Sequence, residues 1–85
     1  MEIHHDIEND RVWTELDGQT ASVEYELTGK TLNILHTYVP APLEGQGIAS
    51  KLVKYAYDFA KQQGLHPAAT CSYARIWLDR HPEYN

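Results

Sequence analysis

The apolar positions change period about halfway along the chain. Up to residue 39 they alternate with polar ones. Arg11–Leu16 places Val12, Thr14 and Leu16 on one face, and Gln19–Leu27 places Ala21, Val23, Tyr25 and Leu27 opposite Thr20, Ser22, Glu24 and Glu26. Alternation of this kind marks half-solvated antiparallel strands. Asp17-Gly18 between them is a strong hairpin signal, and Thr28-Gly29-Lys30 makes the next turn. Thr31–Val39 reads as a third strand, with Leu32, Ile34, His36 and Tyr38 on one face and Leu35 and Val39 on the other. Apolar residues on both sides suit a central strand. Glu2–His5 is a weakly marked additional strand.

Pro40 and Pro42 end the alternation. From about Gly45 to Gln63, the residues Ile48, Leu52, Ala56, Phe59 and Ala60 fall at helical spacing, with Val53 beside them. Lys51, Lys54, Asp58, Lys61 and Gln62 take the other face, and Gly64 is a natural stop. Leu65–Cys71 is a short apolar strand. Ser72 caps a last helix over about Tyr73–Arg80, whose Ile76, Trp77 and Leu78 are placed to pack on the sheet, and His81-Pro82 ends it. The predicted fold class is α+β: antiparallel hairpins, then a strand–helix–strand crossover that makes a parallel pair, then a C-terminal helix.

Composition narrows what this fold does. The 85 residues predict one domain with a limited core. Twelve acidic against seven basic residues give a net charge of −5, with no basic stripe, which argues against nucleic acid as a partner. No apolar run approaches the roughly 18–20 residues of a membrane span. The N-terminus shows no signal-peptide pattern, and Cys71 is the only cysteine, so a reducing cytoplasm is the expected location. The histidines His4, His5, His66 and His81 show no metal-site spacing, and no metal is expected.

The unusual stretch is Leu43–Ser50, Leu-Glu-Gly-Gln-Gly-Ile-Ala-Ser. Two glycines stand just where a helix must start. The first N–H groups of a helix have no partner inside it and attract anions, and glycine lets a pyrophosphate approach the backbone. Ser50 stands where a dinucleotide fingerprint has its third glycine, and no Gly-Lys-Ser/Thr occurs. Spacing alone also admits a second reading, in which Gly45 and Gly47 only shape a tight turn.

The segments His36–Val53 and Cys71–Tyr84 resemble the GCN5-related N-acetyltransferase (GNAT) superfamily, and in particular its minimal single-domain members. The family signature, Gln/Arg-x-x-Gly-x-Gly/Ala, falls on Glu44, Gly47 and Ala49, and the likeness runs from about Arg11 to Tyr84. Glu44 departs from it, which leaves binding there to the backbone while the side chain points to solvent. The two helices that usually follow the family's first strand are replaced by the Asp17-Gly18 turn, so the acceptor site is open or completed by a partner.

The resemblance implies a GNAT-like mixed sheet whose parallel strands splay apart, with acetyl-CoA lying in the gap. It implies transfer of the acetyl group to an unidentified amine by a monomer or weak dimer; a non-catalytic CoA-binding or protein-interaction module is the alternative. Tyr38 and Val39 would form the strand edge that pairs with the pantetheine arm, with the Val39 N–H polarising the thioester. The amides of Gly45, Gln46, Gly47, Ile48 and Ala49 would take the pyrophosphate, with charge added by Lys51 and Lys54. Three residues are candidates for the chemistry: Cys71 as an acetyl relay or thioester neighbour, His36 as base, and Tyr73 as general acid. Each also has a plain structural reading, in packing or in a satisfied polar contact.

Overall fold

The computed structural model describes all residues, 1–85. Its sheet has five strands in the order β1-β2-β3-β4-β5: β1 His4–Asp6, β2 Arg11–Leu16, β3 Gln19–Thr28, β4 Thr31–Tyr38 and β5 His66–Ala69. The first four pair antiparallel, and β5 runs parallel to β4. Helix α1, Ile48–Gln62, makes the crossover between β4 and β5, and α2, Ser72–Arg80, follows β5. Asp17 and Gly18 both take positive φ (52° and 73°), the backbone of the tight hairpin turn that their sequence predicts.

One face of the sheet supplies Val12, Ala21, Val23, Tyr25, Leu32 and Ile34 to the core. Against it α1 sets Ile48, Leu52, Val53, Ala56, Tyr57 and Ala60, and α2 adds Ala74, Trp77 and Leu78. Thr14 shares this buried face, and its hydroxyl donates to the Glu2 carbonyl (2.6 Å), which fastens the N-terminal segment to β2. Trp77 links the two helices: its ring N–H donates to Ser50 Oγ in the first turn of α1 (2.9 Å), and its ring stacks on His81 (3.8 Å between centroids).

Several bounds differ from those predicted. The N-terminal strand begins at His4, two residues later than expected, and β5 covers only four residues. Cys71, not Ser72, occupies the N-cap of α2, with extended backbone (φ −65°, ψ 127°). Ile76 does not pack on the sheet; it is 51% exposed.

The consequential correction lies in β4. Glu24 pairs with His36 but Tyr25 pairs with Ile34, so Leu35 is an extra residue in the ladder, a β-bulge. An inserted residue reverses which side chains face which way. Beyond it, Thr37 pairs with the buried Val23, while His36 and Tyr38 pair with Glu24 and Ser22 on the opposite face. His36 and Tyr38 therefore do not share a face with Leu32 and Ile34, as simple alternation predicts. Both are exposed.

Candidate functional site

Pairing of β5 with β4 runs only from Thr31 to Ile34. There the N–H groups of Thr70 and Cys71 both donate to the Ile34 carbonyl (3.0 and 3.1 Å), and the chain turns away into α2. From Leu35 onward this edge of β4 has no neighbouring strand, so the sheet opens as a wedge. Tyr57 fixes the root of that opening: buried at the middle of α1, it donates its hydroxyl hydrogen to the Ala68 carbonyl of β5 (2.7 Å).

Beyond the wedge the chain drops through a short 3-10 turn, Ala41–Leu43, anchored by the buried Leu43, into the two glycines. Gly45 has φ 82° and Gly47 φ 76°, left-handed backbone that favours glycine. Gly47 is also the N-cap of α1 and carries no side chain to cap it. As a result none of the backbone N–H groups from Gly45 to Ser50 has a partner within the chain. Left bare, they add to the positive end of the helix dipole. A β-carbon built at either glycine meets nothing within 4 Å, so the space beside these amides is open.

The wedge and the helix mouth form one cleft of about 400 Å³, walled by Thr37 and Val39, by Leu43, Glu44, Gly45, Gly47, Ile48 and Ala49, and by Tyr73 of α2. Val39 is followed by Pro40 and lies past the end of β4; its N–H also has no partner within the chain. Of the predicted site residues, the structure thus brings together Val39, Gly45, Gly47, Ile48, Ala49 and Tyr73. Gln46 belongs to the same loop but is not part of the cleft wall. Tyr38 turns its side chain outward, 60% exposed, and His36 is exposed on the far face of the sheet. Glu44 is solvent-exposed as expected, yet it stands on the cleft wall. Lys51 and Lys54 line a separate depression with Met1 and Ile3, and Lys54 is held by Asp58 (2.9 Å).

Cys71 lies behind the wall, its thiol donating to the Thr37 hydroxyl (3.4 Å). Burial pushes this thiol up. The Thr37 hydroxyl and the backbone N–H groups of Ala74, Tyr73 and Thr37 together outweigh burial, so the thiol titrates below its ordinary value. Thr37 is the site residue that sequence reasoning missed, because it reaches the cleft only through the Leu35 bulge. A folded-state thiol pKa below the unfolded one contributes stability that is present above the unfolded value and lost as pH falls through the folded one. Alkylation of Cys71, followed against pH, is therefore expected to rise at lower pH than in the unfolded chain. Thr37→Val should move that midpoint upward; an unmoved midpoint would remove Thr37 from the account.

The comparisons with known proteins agree with this geometry. The profile of the GCN5-related N-acetyl-transferase family matches residues 11–85. The NATD1 protein of Xenopus tropicalis is 33% identical over 85 residues, covering 96% of this chain and 78% of that protein. Its human counterpart is 32% identical over 85 residues, with 96% and 75% covered. Among solved structures, the solution structure of a GCN5-like protein from Staphylococcus aureus superposes with a TM-score of 0.77 at 29% identity, covering 98% of this chain and 82% of that one. With a profile match over nearly its whole length, a shared fold and a splayed sheet ending at a glycine-mouthed helix, the chain belongs to the GCN5-related N-acetyltransferase family.

Proposed function

We propose that this protein binds acetyl-CoA in the wedge between β4 and β5 and transfers the acetyl group to an amine. The observation that carries this reading is the run of unpartnered N–H groups from Gly45 to Ser50, set at the mouth of α1 beside open space. In a chain of net charge −5, a dianionic diphosphate needs such a local device. The residues fit the ligand on a second count, since the free Val39 N–H stands on the same cleft wall.

When bound, acetyl-CoA supplies an acetyl group activated as a thioester. The Gly45–Ser50 amides hold the diphosphate. The Val39 N–H donates to the thioester oxygen and stabilises the charge that grows there as the amine attacks. The amine attacks as the free base; the C–N bond forms, the C–S bond breaks, and the nitrogen gives up a proton while the departing sulfur takes one. Of the two hydroxyl-bearing residues on the cleft wall, Thr37 and Tyr73, Tyr73 is the proposed donor of that proton. In the relay version Cys71 Sγ takes the acetyl group first, its proton going to the CoA sulfur, and the amine then removes the acetyl group and restores the thiol.

A second reading, a CoA-binding module without turnover, draws support from His36. With His36 on the far face, no imidazole stands on the cleft wall to act as base. One experiment separates the readings. The protein is incubated with acetyl-CoA and a panel of amines; thiol release is followed, and the protein mass is read. Transfer predicts amine-dependent thiol release, and a relay adds an acetyl mass on Cys71 that Cys71→Ala removes. A melting temperature raised by acetyl-CoA with no thiol release leaves the binding module; no change in melting temperature at saturating acetyl-CoA sinks both.

A further inference from the structure

Both helices and the core lie against one face of the sheet, and no element is stacked on the other. Because of the Leu35 bulge, His36 and Tyr38 join that open face. Strand pairing sets two rows across it: Trp13, Ser22 and Tyr38 form one, and Arg11, Glu24 and His36 the next. Tyr38 is exposed, Trp13 is half-buried, and the small Ser22 between them is buried. Adjacent strands lie about 4.8 Å apart, so the two rings stand about 10 Å from each other with a low floor between them. Charge is divided as unevenly as shape. Residues 1–26 hold eight of the twelve acidic residues and, of the seven basic ones, Arg11 alone. Lys51, Lys54, Lys61, Arg75 and Arg80 are all on the helices. Glu15, Glu24 and Glu26 stand exposed on the open face, and none of them forms an ion pair. Arg11, the one arginine or lysine there, lies over the Trp13 ring, 5.7 Å from its centroid.

We infer that this open face docks a lysine- or arginine-rich segment of another protein. One cationic side chain of that segment lies over Ser22, its stem between Trp13 and Tyr38 and its charged head beside Glu24. Aromatic rings attract a cation, and the carboxylates around them gain the partner that the chain itself does not supply. The same carboxylates repel a nucleic acid or an anionic lipid surface. A second copy in a two-fold contact would set one acidic face against another, so charge favours a foreign, basic occupant. The inference does not rest on the acetyl-CoA reading, because this face lies across the sheet from α1 and its bare amides.

The test is titration of the whole isotope-labelled protein with a blocked peptide of alternating lysine and alanine, and with its glutamate–alanine counterpart, followed by amide shifts. The lysine peptide is expected to move the signals of Trp13, Ser22, Glu24 and Tyr38 and to bind more weakly as salt rises, while the glutamate peptide moves none. Glu24→Gln combined with Glu26→Gln should weaken binding about fivefold. Asp79→Asn combined with Glu83→Gln removes the same charge from the C-terminal end of the chain and should leave affinity unchanged at physiological salt. Tyr38→Ala should cost about threefold, and Tyr38→Phe should restore the loss. All five positions are exposed, so the variants are expected to fold. No binding of the lysine peptide, equal binding of both peptides, or shifts scattered over the helices overturns the inference. So do equal losses in the two charge variants, or an affinity indifferent to Tyr38→Ala. Self-association of the free protein through the same residues also overturns it, because the occupant would then be a second copy.

Discussion

Gly47→Val is expected to abolish the stabilisation of the protein by acetyl-CoA while leaving a folded chain. Two costs are involved and they can be separated. A β-branched residue forced to the φ of 76° found at Gly47 costs roughly 1–2 kcal/mol. In a chain of this size that lowers the melting temperature by about 4–8 °C per kcal/mol. The second cost falls on binding alone. The valine side chain projects into the open space beside the bare amides, where the diphosphate is proposed to lie. Hydrogen bonds to a charged group are each worth about 1.5–3 kcal/mol, so losing two of them weakens binding by roughly a hundredfold or more. Gly29→Val is the control. Gly29 also has positive φ (58°) and open surroundings, but it lies in the β3–β4 turn, away from the cleft. It should cost similar stability and leave the acetyl-CoA shift intact. Calorimetric titration and thermal melts of both variants read the two effects, and an undiminished acetyl-CoA shift in Gly47→Val would remove the amides from the binding account.

Trp77→Ala carries the largest expected effect on stability. Trp77 is 5% exposed, stacks on His81, meets the rings of Tyr57 and Tyr84, and donates to Ser50. Truncating a buried tryptophan to alanine typically costs about 3–5 kcal/mol. A chain of this length has about 4–13 kcal/mol in total, at about 0.05–0.15 kcal/mol per residue. The variant should therefore melt about 15 °C or more below the native protein, or fail to fold. Trp77→Phe keeps a ring in place but loses the Ser50 bond, and a smaller loss of about 1–2 kcal/mol is expected. Because Ser50 sits in the first turn of α1, Trp77→Phe should also weaken CoA binding more than its stability loss alone accounts for. Urea unfolding of both variants decides the matter; a loss below about 1.5 kcal/mol for Trp77→Ala would mean that α2 is not part of the cooperative core.

The elements themselves were readable because each rests on local signals. Alternation in Gln19–Leu27, the Asp17-Gly18 turn, helical spacing from Ile48 to Ala60 and the stop at Gly64 agree with one another, and the structure follows them closely. The glycine mouth was readable for the same reason: its backbone demand is written in residue type. The strand edge of the site was not. A single inserted residue at Leu35 leaves no compositional mark, since leucine suits a strand in either register. Alternation carried through it puts His36 and Tyr38 on the face of Leu32 and Ile34 and leaves Thr37 on the other, the reverse of the observed register. Ile76 misled for a different reason, because helical spacing places it beside Trp77 but packing at the edge of the sheet leaves it outside.

The bulge also bears on how sequences of such proteins are compared. It acts on β4 as a frameshift acts on a message: the letters after it are unchanged, but each is delivered to the other side. Two chains that carry the same letters, leucine included, one bulged at Leu35 and one pairing in straight register, would line the cleft with different chemistry, threonine and valine in one and histidine and tyrosine in the other. An alignment blind to the bulge would equate residues standing on opposite sides of a wall.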